Sequence, residues 1–257
     1  MDCNITTNSL LLTKEKIRLL EQCNISFFQI TIDGCREEHN KVKKLPNIDT
    51  FSIALNNIVN IVKMLPKAYC ILRINLSKRM QDPCKIINQI NEIIPIELHN
   101  KVKVDLQTVW QEGEEAISIG VLNKMRDFSI ESNFATTTFH HGTCYVDFKH
   151  FNCIFPNGHV DICDHEGLDK IGRAVLTEFG EIEWTEELQC FKYNIDKENV
   201  YCNHCKHVLI CGGPCPVSRN QLSPDFFTTQ CCEKNMEQKM VQTIKDIYDV
   251  HVQKNYV

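Results

Sequence analysis

The chain has 257 residues, enough for one large domain or for two modest ones with cores of their own. A formal net charge of -5 and a pI near 6.1 give no electrostatic reason to expect nucleic acid or an anionic membrane as a partner. Apolar residues make up 43% of the chain, but no apolar run approaches the ~20 residues that span a bilayer, and the first residues lack the pattern of a signal peptide, so a cytoplasmic location is expected.

Residues 1 to about 143 alternate between helical and extended periods. Thr13 suits the cap of a helix running through Cys23, with Ile17 and Leu20 on one face. Residues 27–32, FFQITI, read as a strand broken by Asp33 and Gly34. Phe51, Leu55, Ile58 and Val62 then recur at helical spacing, and Pro66 closes that helix. Residues 69–74 form the next strand. Asp82 and Pro83 suit the cap and first turn of a third helix, which carries Ile86, Ile87, Ile90 and Ile94. Residues 102–109 alternate as a strand, and a fourth helix from about Glu114 buries Ile117, Val121 and Met125. Such alternation predicts an α/β fold with a parallel sheet and right-handed crossovers.

A second region begins near His140. Residues 154–162 read as a β-hairpin turning at Asn157-Gly158, and residues 171–176 as an extended piece leading to a turn at Gly180. The last twenty-odd residues read as a helix with Met236, Met240, Ile244 and Ile247 on one core-facing stripe.

Fifteen cysteines need an account, and ten of them lie between Cys144 and Cys232. Disulfides would suit a small secreted domain, which this chain does not resemble; in a reducing compartment the clustered cysteines read as metal ligands. The scattered five, Cys3, Cys23, Cys35, Cys70 and Cys84, are expected to be buried small hydrophobes. The densest run is Cys202, Cys205, Cys211 and Cys215, spaced C-x2-C-x5-C-x3-C. A C-x2-C pair sets two sulfurs about one turn apart, which suits two corners of a tetrahedral thiolate site. Gly212, Gly213 and Pro214 bend the backbone so that Cys215 can point away from Cys211. Two sites sharing the run fit better than one.

Upstream, thirteen residues separate Cys144 from Gly158 and four more separate Gly158 from Cys163; downstream lie Cys231 and Cys232. The joined pattern resembles the SPASM domain, the C-terminal module of radical S-adenosylmethionine (SAM) enzymes that mature peptides and proteins. The first region resembles the C-terminal part of a radical SAM barrel. Residues 6–9 (TTNS) are similar to its "TNG" strand end and residues 30–34 (ITIDG) to its "SIDG" strand end. His39 and Asn40 stand where the family often shows a His-Asp pair, and residues 71–75 with Ser77 suit the next strand and its exit loop. The expected organisation is therefore a partial (β/α) barrel of about four parallel strands over residues 1–139. A small SPASM domain with β-hairpins and a C-terminal helix would follow over residues 140–257.

The resemblance implies two auxiliary [4Fe–4S] clusters. One would take Cys144, Cys163 and Cys215, with Cys153 as the candidate fourth ligand; the other would take Cys202, Cys205 and Cys211, closed by Cys231 or Cys232. Cys190, His204 and His207 are weaker candidates. Tetrahedral sulfur sets suit zinc as well, so two structural zinc sites are the competing reading. Asp164, directly after Cys163, stands where related sulfatase-maturing enzymes carry a catalytic base, and burial beside a thiolate cluster would raise its pKa toward a usable range. Asn8, Thr31, Asp33 and Ser77 are the positions implied for SAM binding.

The family's C-x3-C-x2-C loop, which holds the SAM-cleaving cluster, is absent from the sequence. On this mapping the chain alone makes no 5′-deoxyadenosyl radical and binds SAM productively only when the missing segment is supplied, whether the chain is a fragment or is completed by another polypeptide. The implied partners are a ribosomally made precursor peptide and an electron donor. Residues 171–173 (IGR) and 180–184 (GEIEW) resemble maturases that work beside an ATP-grasp enzyme. The alternative class is a non-enzymatic iron–sulfur or zinc module for electron relay or precursor binding.

Overall fold

The computed structural model describes residues 3–78, 80, 82–109, 117–137, 151–161, 163, 174–184, 204–207, 237, 240–245 and 248. The chain divides into two compact units, Met1–His140 together with Gln242–Val257, and His141–Val241.

In the first unit, β1 (Cys3–Thr7), β2 (Ile25–Ile32), β3 (Tyr69–Leu76), β4 (Val102–Thr108) and β5 (Ala135–Thr137) lie side by side in chain order, all parallel. Among the described residues the sheet thus has five strands where about four were expected. The additional one, β5, spans three residues reading Ala-Thr-Thr, too short and too polar to leave a periodic signal. The helices are α1 (Lys14–Gln22), α2 (Arg36–Lys43), α3 (Thr50–Met64), α4 (Pro83–Asn91) and α5 (Ile119–Glu131). Sequential order with crossovers of one hand places connecting helices on one face of a sheet.

Side-chain burial follows from that arrangement. Phe28, Ile30 and Ile32 of β2, Leu72, Ile74 and Leu76 of β3, and Val102, Val104 and Leu106 of β4 are fully buried. They share one core with Ile17, Phe51, Ile58, Ile86, Ile90 and Met125 from the helices. Each such burial contributes roughly 1.5–3 kcal/mol before the entropy of ordering is counted. The interleaved residues Thr31, Arg73, Asn75, Lys103 and Gln107 are only partly buried. Strands covered by helices on both faces read as continuous apolar runs. β3 alternates instead, and its second, partly buried face carries Tyr69, Ile71, Arg73 and Asn75.

The caps are local chemistry. Thr13 accepts from the Lys16 N–H at 3.3 Å, and Asp82 accepts from the Cys84 N–H at 3.0 Å with Pro83 in the first turn, both as the sequence predicts. α2 left no periodic signal, because in REEHNKVK only His39 is buried. Its start is set by Glu38 Oε2, which accepts the Cys35 N–H at 3.1 Å. α5 begins at Ile119 behind the Ser118 cap, later than the expected start near Glu114, so Ile117 precedes the helix.

The scattered cysteines require a correction. Cys70 is buried, and that burial pushes its thiol up to about 12. Cys23 is exposed at the end of α1, while Cys35 and Cys84 are partly buried at the starts of α2 and α4. Helix ends lie at the rim of the layer, where a small side chain is not enclosed. The side chain of Cys3 lies outside the described residues.

In the second unit, β6 (Cys153–Ile154), β7 (His159–Asp161), β8 (Ala174–Leu176) and β9 (Ile182–Glu183) form a four-stranded antiparallel sheet in chain order. The expected turn at Asn157-Gly158 closes β6 on β7. Gly158 has φ +81°, a conformation that costs glycine little, and Phe155 N–H donates to His159 O at 2.8 Å. At the helical positions 240–245, Met240 and Thr243 are buried but Ile244 is 55% exposed. The expected Met240–Ile244 stripe is therefore not the buried face; Met236 and Ile247 lie outside the described residues. No described helix is long and apolar enough to cross a membrane.

Candidate functional site

Parallel strands end along one edge of their sheet, and ligands of open α/β sheets gather outside that edge. The exits of β1, β2 and β3 bring Asn8, Asp33 and Ser77 to this edge, with Thr31 on β2 just before it. At the first exit, Ser9 adopts φ 60°, and its carbonyl accepts from Asn57 Nδ2 at 2.8 Å and from the Leu12 N–H at 3.0 Å. Asn8 is exposed, and its Oδ1 accepts the Leu10 N–H at 3.2 Å, which leaves its amide nitrogen for a ligand. Ser77 is partly buried beyond β3, its carbonyl accepting the Met80 N–H at 3.1 Å.

Asp33 is the most constrained of the four. Asn75 Nδ2 donates to its Oδ1 at 2.9 Å, and Lys43 Nζ pairs with its Oδ2 at 2.8 Å. Burial alone would raise this carboxyl, but the hydrogen bonds from Lys43 and Asn75 outweigh it and hold the pKa below the usual aspartate value. The backbone N–H of Asp33 donates to His39 Nδ1 at 3.0 Å. That bond requires a lone pair on Nδ1, so the ring is neutral with its proton on Nε2. Burial first, and Lys43 second, lower His39 to about 4, which agrees with that tautomer. The ring stands edge-on to Phe51 at a centroid distance of 6.0 Å.

Sequence reasoning gave site roles to neither Arg73 nor Asn75, although both are in the motif that carries the resemblance. Arg73 Nε donates to Asn75 Oδ1 at 3.3 Å, which links the guanidinium to Asp33 through one amide. In register beside Arg73 on β4 is Asp105, whose Oδ1 accepts from Gln107 Nε2 at 2.9 Å. The missed signal was alternation: in YCILRINL, Arg73 and Asn75 interleave with the apolar Leu72, Ile74 and Leu76 at the exit end of the strand.

In the second unit the hairpin register sets Cys153 opposite Asp161, two residues before Cys163. Cys163 thus follows the end of β7 by two residues, and Cys153 and Cys163 are both partly buried. Cys205 is partly buried, His204 is exposed and His207 is partly buried. None of these three cysteines is in a disulfide. Cys144, Cys202, Cys211, Cys215, Cys231, Cys232, Cys190 and Asp164 lie outside the described residues. Among the described residues no three His, Cys, Asp or Glu side chains are grouped to hold a metal ion. The donor chemistry, thiolate sulfur, fits an iron–sulfur cluster or zinc.

No protein-family model matches the chain, and no curated protein matches it significantly. Solved structures do match. Native anSMEcpe with bound AdoMet (S-adenosylmethionine) aligns with a TM-score of 0.59 at 15% identity, over 99% of this chain and 76% of that one. A histidine-tagged form of the same protein with AdoMet gives 0.60 at 16% identity, over 99% and 72%. Native anSMEcpe with AdoMet and the Cp18Cys peptide gives 0.58 at 14% identity, over 99% and 76%. anSMEcpe is a radical SAM, SPASM-domain maturase, and this chain shares its fold.

Proposed function

We propose that the chain is a SPASM-domain, radical SAM-type peptide maturase that acts on a ribosomally made precursor. The observation that carries this reading is the shared fold with anSMEcpe, a protein solved with AdoMet and with a peptide bound. The cysteine spacing from Cys144 to Cys232 supports it independently. Cys144, Cys163 and Cys215, with Cys153, hold one auxiliary [4Fe–4S] cluster in this reading. Cys202, Cys205 and Cys211, with Cys231 or Cys232, hold the other. The register that sets Cys153 opposite Asp161, two residues before Cys163, supports the first set. Asp164 takes the proton from the substrate.

Asn8, Thr31, Asp33 and Ser77 would hold SAM at the strand exits, where a carboxylate with two engaged oxygens still has lone pairs for a hydroxyl. When SAM is cleaved by a reduced cluster, it supplies the radical that abstracts hydrogen from substrate. The sequence contains no C-x3-C-x2-C, so this chain does not perform that cleavage without a polypeptide that provides it. An electron donor and an ATP-grasp enzyme complete the proposed partners. The thiolate donors suit zinc as well as iron, which keeps a second reading, a non-enzymatic cluster or zinc module that holds a precursor or relays electrons.

Anaerobic reconstitution tests both. About eight iron and eight sulfide per chain, as two four-iron clusters require, are expected. Recovery of about two zinc, with no iron–sulfur absorbance, would replace the first reading by the zinc module. With dithionite and SAM, the chain alone should yield no 5′-deoxyadenosine, and adding a polypeptide with the C-x3-C-x2-C loop should restore it. Cleavage by the chain alone would overturn the dependence on that loop.

A further inference from the structure

The ring of His99, in the short 3-10 helix Ile96–Lys101, is buried and stacks on the fully buried Phe134 at a centroid distance of 3.8 Å. Both of its nitrogens face backbone carbonyls: Nδ1 is 2.7 Å from Ser132 O, and Nε2 is 3.0 Å from Ile94 O. Ser132 caps the C-terminal end of α5. Ile94, whose N–H donates to Ile90 O at 2.8 Å, continues the turn that ends α4. Helix ends leave their last carbonyls without donors and carry the negative end of the helix dipole.

A carbonyl oxygen only accepts, and a neutral imidazole has one N–H. A neutral ring would set a lone pair against one of these two oxygens at hydrogen-bond distance, whichever tautomer it took. Only the imidazolium donates to both. His39 is the opposite case, since its Nδ1 accepts the Asp33 N–H. The charged groups on the elements around His99 are engaged elsewhere or reach water. Glu92 beyond α4 pairs with Arg36 at 3.8 Å, Arg126 and Asp127 of α5 pair at 2.7 Å, and Glu97, Glu131, Lys63 and Lys67 are exposed. Lys101 donates to Val62 O at 3.4 Å and Pro66 O at 3.0 Å. On β4, Lys103 and Asp105 alternate with the core residues Val104 and Leu106 and so lie on the other face of the sheet. What stabilises a charge on His99 is the pair of helix-end carbonyls and the face of Phe134.

We infer that His99 is a buried imidazolium that clamps the ends of α4 and α5 together, a pH-sensitive fastener for the last helix and strand of the sheet. Asn91 Nδ2, which donates to Ser132 Oγ at 3.2 Å, links the same two ends from an exposed position. α5 leads into β5, a three-residue strand at the edge of the sheet, so this corner has little strand pairing of its own. As the pH rises the ring gives up one proton, one carbonyl exchanges a donor for a lone pair, and the corner loosens. The unfolded chain sheds that proton above about pH 6.5 while the folded chain keeps it, so the clamp is whole at low pH and is lost as the pH rises. The direction is opposite to that of His39.

The test uses the full chain, isotopically labelled and reconstituted anaerobically, with the ring nitrogens of residue 99 assigned by NMR through its own backbone. At about pH 7.5, where an ordinary histidine is neutral, both nitrogens should carry a proton. One protonated and one bare nitrogen overturns the inference, and this reading needs no variant to fold. Urea unfolding supplies the second measurement. Above about pH 6.5 the folding constant of wild type should fall by up to about tenfold per pH unit, the slope of one proton. His99→Gln keeps a single amide donor that does not titrate, and it should lower the slope by that one proton. A flat wild-type profile overturns the inference, and so does an undiminished slope in His99→Gln.

Discussion

In the first unit, three adjacent strands send alternate apolar side chains against the helices, and phenylalanine, isoleucine and leucine residues there are fully buried. In the second unit, four described strands of two or three residues carry the sheet, and the buried apolar residues among those described are Val160, Ala174 and Met240. The first has the ingredients of a core that side-chain packing alone can hold. The second, on its described residues, does not, and small regions of that kind usually need disulfides or metal. Its cysteine-rich sequence supplies the candidate. The contrast suggests that the two units draw stability from different sources, and that they can be broken separately.

The largest expected effect follows from removing metal. Binding free energy at a structural metal site is folding free energy for the region around it. Chelation of the reconstituted protein should strip amide protection from residues 141–241 while β2, β3 and β4 keep theirs. Hydrogen exchange read by mass spectrometry checks this, and uniform protection unchanged by chelation would contradict it. Cys211→Ala should halve the iron content rather than abolish it, because only one proposed cluster uses that sulfur.

The converse damage is Phe28→Ala. Phe28 is fully buried in β2, in the middle of the first unit's core. Deleting the ring should cost about 3–5 kcal/mol from lost transfer energy and the cavity left behind. Urea unfolding measures it, and metal content should not change. A loss of iron in this variant would show that the two regions do not stand apart.

A pH-dependent effect of similar size should belong to the first unit alone. His39 is fully buried, neutral, and lowered from 6.5 to about 4. Above pH 6.5 neither the folded nor the unfolded chain is protonated there, so His39 gives no slope. As the pH falls from 6.5 toward 4, the unfolded chain gains a proton that the folded chain refuses, and stability drops by about 3 kcal/mol. Asp33, whose folded pKa lies below its usual value, adds its loss only at still lower pH. His39→Gln keeps a hydrogen-bond acceptor for the Asp33 N–H and should flatten the profile between pH 6.5 and 4. An unchanged profile in that variant would assign the slope to another group.

How far the sequence could be read follows the same divide. β2, β3, β4 and the caps at Thr13 and Asp82 were legible because apolar period and cap chemistry are local properties. α2 was not, since its helix is held by side chains it meets only after folding: Arg36 N–H donates to Gln89 Oε1 at 2.9 Å, across 53 residues. β5 was too short to show a period. At the site, Asp33 was legible as a strand-end aspartate, but its engagement by Lys43 and Asn75 depends on pairing between β2 and β3. In the second unit the glycine turns were legible, because Gly158 and Gly180 both take positive φ, +81° and +80°. Ligand sets are harder, since spacing says which sulfurs are near in sequence and not which share a cluster.

The smallest effect tests whether the first unit unfolds as one block. α1 is a nine-residue helix in which only Ile17 is fully buried, so its end chemistry is a large part of what holds it. Thr13 Oγ1 accepts the Lys16 N–H at 3.3 Å, and Glu15 in the first turn is held below the usual carboxylate range by its own backbone N–H and then by the Thr13 hydroxyl. Both contacts put an acceptor at the positive end of the helix. Thr13→Ala removes the hydroxyl and should cost about 1 kcal/mol, with Thr13→Ser recovering most of it. Amides of β3, which open only when the whole unit does, should then exchange about fivefold faster, the same energy written as a ratio. Amides of β7 and β8 in the second unit should not change. If they accelerate equally, the two regions unfold together. If α1 alone accelerates, the helix frays apart from the sheet and the first unit is not one block.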